Sequence, residues 1–131
     1  MADPPIAIVH LPPGPGPVSV DLASPQHPQT LAGVLWRYAE DKSPEGRAGE
    51  FTPGIMSVAI GSLASNRNKF FLLEGAVLHH NDPAPTPYQV VVSILRDGRA
   101  VHAEVPPEGG TGQIKDADVP FVYRFQLQEG T

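Results

Sequence analysis

A chain of 131 residues is the size of one domain and can bury roughly two-thirds of its unfolded surface in a single core, so residues 1–131 need no second domain. Hydrophobic residues at 40% against 18% charged exclude a disordered tail, while 16 prolines and 13 glycines interrupt the chain too often for a helical bundle. Nine Lys and Arg, scattered among fourteen Asp and Glu for a net charge of −5, give a phosphate backbone no footprint, and nucleic acid is not an expected partner.

Cysteine is absent, which removes disulfides, thiolate nucleophiles and Cys-based zinc or iron–sulfur sites. No apolar run approaches the roughly 18 residues of a membrane helix, and Met1-Ala2-Asp3-Pro4-Pro5 lacks the basic start and apolar stretch of a secretory signal. The expectation is a soluble cytoplasmic protein with no membrane partner, signal-independent export remaining open.

In chain order, the apolar run 6–11 and the alternating run 18–22 read as strands, joined by the rigid connector Pro12-Pro13-Gly14-Pro15-Gly16-Pro17. The prolines around them suit edge positions, because proline cannot donate to a ladder. Next, Leu31, Val34, Leu35 and Tyr38 fall at i, i+3, i+4 and i+7 after a possible N-cap, Thr30, and predict a short helix near 30–42. The competing two-residue period, with Ala32, Val34, Trp36 and Tyr38 on one face, predicts an extra strand there instead. Residues 43–49 read as a polar loop, and Pro53-Gly54 as a turn.

Two further strands, 55–63 and 69–80, are joined by the turn-rich Ala64-Ser65-Asn66-Arg67-Asn68 and could pair as a hairpin, with Glu74-Gly75 as a candidate bulge. The clearest local signal is Asp97-Gly98 between apolar runs 88–95 and 100–105, which predicts a two-residue type I′ turn. That register pairs Ile94 with Val101, Ser93 with His102 and Val92 with Ala103, placing Val101 and Ala103 on the apolar face and His102 and Glu104 in solvent. After a loop over 106–118, Phe121, Tyr123, Phe125 and Leu127 alternate with polar residues as a half-buried strand. About seven strands separated by turns predict an all-β antiparallel β-sandwich of immunoglobulin-like size, a small β-barrel being the alternative.

Candidate site residues divide into several groups. His79, His80 and Asp82 stand together at a strand end and include the residue types of a metal site or general base, although adjacent strand residues point to opposite faces. His102 and Glu104, two apart, can converge, and Ser93 opposite them invites comparison with a hydrolytic triad; a water-facing strand, however, has no oxyanion hole. Asn66, Arg67 and Asn68 carry donors for a carboxylate or sugar and are also residues a tight turn selects. Trp36 and Arg37 are of the types enriched at interface anchors and sugar platforms. The glycine-rich stretch 108–115 does not meet the phosphate-loop spacing.

Ser62-Leu63-Ala64-Ser65-Asn66 with the segment 70–73, and Tyr123-Arg124-Phe125, resemble short pieces of the bacterial inclusion-body protein family, and the resemblance implies a β-sandwich. The Gly-Asp and Trp-Asp-Pro elements of that family are missing, so no functional residue carries over. The sequence predicts a non-enzymatic binding module with no cofactor, recognising a protein partner or small ligand through loops at one end of the sandwich. The alternatives are a small metal-dependent or hydrolytic enzyme using His102 with Glu104 or His79 with Asp82, and a self-associating structural subunit of a bacterial or phage assembly.

Overall fold

A computed structural model describes residues 6–25, 29–79 and 84–130. Among them are eleven strands: β1 (Ile6–Leu11), β2 (Pro17–Ala23), β3 (Thr30–Tyr38), β4 (Pro44–Phe51), β5 (Ser57–Ser62), β6 (Phe70–Leu78), β7 (Thr86–Gln89), β8 (Val91–Arg96), β9 (Arg99–Glu104), β10 (Thr111–Ile114) and β11 (Val119–Glu129). A single turn of helix, α1 (Leu63–Asn66), lies between β5 and β6. A five-stranded sheet in the order β1-β11-β6-β3-β4 packs on a four-stranded sheet, β5-β2-β8-β9, and β7 and β10 form a separate ribbon. This is an all-β sandwich and not a closed barrel. Every pairing is antiparallel except that of β1 with β11.

Alternation builds the core. Phe121, Tyr123, Phe125 and Leu127 of β11, Phe71, Leu73 and Val77 of β6, and Leu31 and Leu35 of β3 are buried against Val18, Val20 and Leu22 of β2 and Val92 and Ile94 of β8. Phe71 and Phe125 stack with centroids 4.9 Å apart and planes 10° from parallel. The last strand therefore buries the face its sequence predicts.

The helix favoured near 30–42 is a strand. β3 pairs along its whole length with β6, and only Leu31 and Leu35, four apart, are fully buried. A spacing of four is even, so it fits a strand face as well as a helix face. The polar loop expected at 43–49 is β4, an edge strand with only β3 beside it, whose side chains are mostly exposed and whose polar composition follows from that. The expected hairpin of 55–63 with 69–80 does not form: β5 joins the small sheet and β6 the large one, with α1 carrying the chain between layers.

Glu74-Gly75 is no bulge, since the register of β6 with both neighbours is continuous through it. Gly75 makes room instead: a Cβ there would lie 2.3 Å from Phe121 Cζ. The run 88–95 is split at Val90, with β7 leaving to pair with β10, which itself occupies part of the loop expected at 106–118. The Asp97-Gly98 turn has positive φ at both residues, 52° and 77°, as a type I′ turn requires. Directly behind it, however, the register shifts. Leu95 pairs with Ala100, but Ile94 pairs with His102, Ser93 with Ala103 and Val92 with Glu104, so Val101 is the extra residue of a bulge. The expected faces are consequently exchanged: Val101 is 40% exposed and Ala103 is exposed, while His102 and Glu104 turn inward.

No helix among the described residues is long and apolar enough to cross a membrane.

Candidate functional site

The outer face of the large sheet carries an apolar surface. Register fixes its rows: Ile6, Arg124, Leu72, Trp36 and Arg47 run across all five strands, and Ile8, Gln126, Phe70, Tyr38 and Pro44 form the adjoining row. Ile6 and Ile8 are 37% and 42% exposed, and Phe70, Leu72, Trp36 and Tyr38 are half-buried. A groove of about 230 Å³ opens here, lined by Ile6, Tyr38, Lys42, Phe70, Leu72 and Arg124, together with Phe71. Lys42 enters it from a left-handed backbone position (φ 69°) that aims its ammonium 5.3 Å above the Phe70 ring, and the Arg47 guanidinium lies 5.7 Å from the Trp36 ring. Cations over aromatic faces are attracted to the ring quadrupole and hold these flat groups in place. The surface is thus apolar with cations at its margin.

Sequence reasoning missed this groove; Trp36 lies on the same sheet face beside Leu72 but does not line it. The signal was nevertheless present in Phe70-Phe71-Leu72-Leu73, apolar at both strand parities, because an antiparallel strand with one face in water alternates.

At the end of the sandwich nearest α1, the structure brings Arg37 and Asn66 together. Asn66 is fully buried; its Nδ2 donates to the carbonyls of Ile60 (2.9 Å) and Ser62 (2.8 Å), and its Oδ1 accepts from Arg37 Nη1 (3.1 Å). Ser62 caps the helical turn by accepting from the Ser65 N–H at 3.2 Å, which positions Asn66. Arg37 Nε lies 3.3 Å from Glu45, close enough for charge attraction but without an aligned hydrogen bond, and Lys69 Nζ donates to the same carboxylate at 2.9 Å. Arg67 pairs with Glu129 at 3.0 Å on the surface. Asn68, at φ 63°, donates its N–H to the Leu127 carbonyl (2.7 Å) and accepts from Gln126 (3.0 Å). The donors of Arg37, Asn66 and Asn68 thus tie sheet ends together.

His79 stands at the other end of β6, roughly 25 Å away at the rise of a strand. Its Nδ1 lies 2.6 Å from Asp118, which also accepts the His79 backbone N–H at 2.9 Å. The backbone bond first and the ring bond second hold the Asp118 carboxyl below its usual range. His80 and Asp82 fall outside the described residues. No group of three or more His, Asp or Glu that could hold a metal ion occurs among the described residues.

The bulge at Val101 assembles a third cluster. Tyr123, on the inner face of β11, donates to Glu104 at 2.7 Å, and His102 Nε2 lies 3.0 Å from the phenol oxygen and 3.2 Å from Glu104. With the phenol proton committed to Glu104, His102 Nε2 must carry the proton directed at that oxygen. Burial first, then the hydrogen bond to Glu104 and its charge, push the Tyr123 phenol well above its ordinary value. Ser93 lies on the opposite face, paired with Ala103 and Asp21, so the suggested triad has no serine. The one sequence signal for this cluster was that a buried tyrosine needs a partner for its hydroxyl.

No family model matches the chain, and no curated protein or solved structure shows significant similarity to it.

Proposed function

We propose that this protein is a non-catalytic binding module that recognises a protein partner through the outer face of its five-stranded sheet. One observation carries the reading: the run Phe70-Phe71-Leu72-Leu73 of β6 is apolar on both faces, and the core covers Phe71 and Leu73 of it while Phe70 and Leu72 line an open groove. Contiguous apolar surface of this kind marks interaction sites. The loop at the α1 end is less suited to recognition, because much of its polar chemistry is already engaged within the chain. Lys42 borders the groove and favours a partner that offers apolar side chains flanked by a carboxylate.

Panning a random peptide library on the immobilised protein tests this. Enriched peptides should combine aromatic or aliphatic residues with Asp or Glu, and a synthetic peptide of that sequence should lose at least about tenfold in affinity against Leu72→Lys or Phe70→Ala. Val101→Lys, on the other sheet, should leave binding unchanged. Absence of enrichment, or affinity indifferent to both groove variants, would overturn the reading.

A further inference from the structure

The two large sheets have four edges, and three of them are disrupted. β4 contains Pro44, Gly46 and Gly49, three charged side chains and two register shifts against β3. β5 meets a register shift on β2, has Gly61 at φ 101° and runs directly into α1. β9 bears Arg99, His102 and Glu104 and the Val101 bulge. Features of this kind prevent an open edge from pairing with another chain. β1 has none of them. Its register with β11 is continuous over Ile6–Leu11, it contains no Asp, Glu, Lys or Arg, and its outward positions are Ile6, Ile8 and His10.

We propose that β1 is a pairing edge and that its occupant is β1 of a second copy, joined antiparallel about a two-fold axis through Ile8. Three observations select a copy of this chain. The strand is bracketed by Pro4-Pro5 before it and Pro12-Pro13 after it, so the ladder is limited to about six residues, a length that another β1 matches from either direction. An edge without formal charge meets its own copy without repulsion, although each chain carries a net −5 elsewhere. Pairing about Ile8 sets Ile8 against Ile8, Ile6 against His10 and Ala7 against Val9, each pair sharing one sheet face, and covers the more exposed of the two β1 isoleucines with its own copy. The two-fold is closed, and the outer faces of both copies become one continuous surface with a groove on each side of the axis. The inference is independent of what occupies the groove, because it rests on the backbone edge and on Ile8, which does not line the groove.

With the axis through Ile8, residues 6–10 of each strand pair, and a five-residue edge contact lies at the small end of interface sizes, so the dimer should be concentration-dependent. Sedimentation equilibrium up to about 1 mM should show reversible dimerisation, abolished by Ile8→Lys and retained by Val101→Lys. Because the chain has no cysteine, Ile8→Cys is a clean second probe: opposed strand positions are about 4.5–5.5 Å apart at Cα, within disulfide reach, so mild oxidation should yield a covalent dimer, whereas Ala103→Cys on the β9 edge should not. A monomer at every concentration, a dimer indifferent to Ile8→Lys, or cross-linking at Ala103 in place of Ile8 would overturn the proposal. Loss of peptide binding in Leu72→Lys with the dimer intact separates the groove from the edge.

Discussion

The phenol of Tyr123 donates a 2.7 Å hydrogen bond to Glu104, a residue that a regular hairpin would have placed in solvent. One extra residue, Val101, reverses the facing of His102 and Glu104 and gives a buried tyrosine its partner. An acidic acceptor for the phenol also makes its ionisation unfavourable in the fold.

The first prediction concerns alkaline pH. Tyr123 has a raised folded pKa, so its contribution is complete below the unfolded value of about 10 and is lost as pH rises beyond it, where the unfolded chain releases a proton that the folded chain keeps. Each retained proton corresponds to a slope of about 1.4 kcal/mol per pH unit. Burial raises Tyr88 as well, so Tyr123→Phe should reduce the fall in urea midpoint between pH 10 and 11 without abolishing it. Identical falls in wild type and variant would contradict the bonded arrangement.

The second prediction concerns Gly75. It pairs with Phe121 on one side and Gly33 on the other, and Gly33 pairs with Phe51, so two glycines stand between two buried phenylalanines in a single row. Gly75→Ala should cost about 1–3 kcal/mol through overpacking against the Phe121 ring. Glycine normally weakens a strand, so an unchanged or raised midpoint would show that the ring is not seated there.

The third prediction concerns Phe125, which is fully buried and stacked on Phe71. Phe125→Ala should cost roughly 3–5 kcal/mol from lost burial and the cavity left behind. A loss of that size unfolds many small domains, so Phe125→Leu, with a smaller cost, keeps the comparison measurable by urea titration.

These residues show why some of the fold was legible and some was not. β11 and the Asp97-Gly98 tip could be read because alternation and turn chemistry are local. β3 was ambiguous because Leu31 and Leu35 satisfy both periods, and β4 was hidden because an exposed edge strand has no apolar face to display. The Val101 bulge decides the facing of His102 and Glu104, and their partner Tyr123 lies on β11, distant in sequence. The groove required knowing that residues far apart in sequence, Ile6, Tyr38, Phe70 and Arg124, share one face of one sheet.

The fourth prediction concerns Asn66, whose amide donates to the Ile60 and Ser62 carbonyls while its oxygen accepts from Arg37. Asn66→Ala leaves two carbonyls and a guanidinium N–H without this partner and should cost about 2 kcal/mol, the typical penalty for unpaired buried polar groups. Asn66→Asp keeps the shape but sets a carboxylate against two carbonyl oxygens, with Arg37 as the only offset. That carboxyl should have a raised folded pKa, and a raised pKa means a contribution present at low pH and lost as pH rises. The Asp variant should therefore be the less stable of the two at pH 7, and its deficit relative to wild type should shrink toward pH 4, where the protonated acid regains one donor. Urea midpoints of the three proteins at both pH values decide the matter: an Asp deficit that stays constant or grows on acidification would show that Asn66 does not donate to those carbonyls.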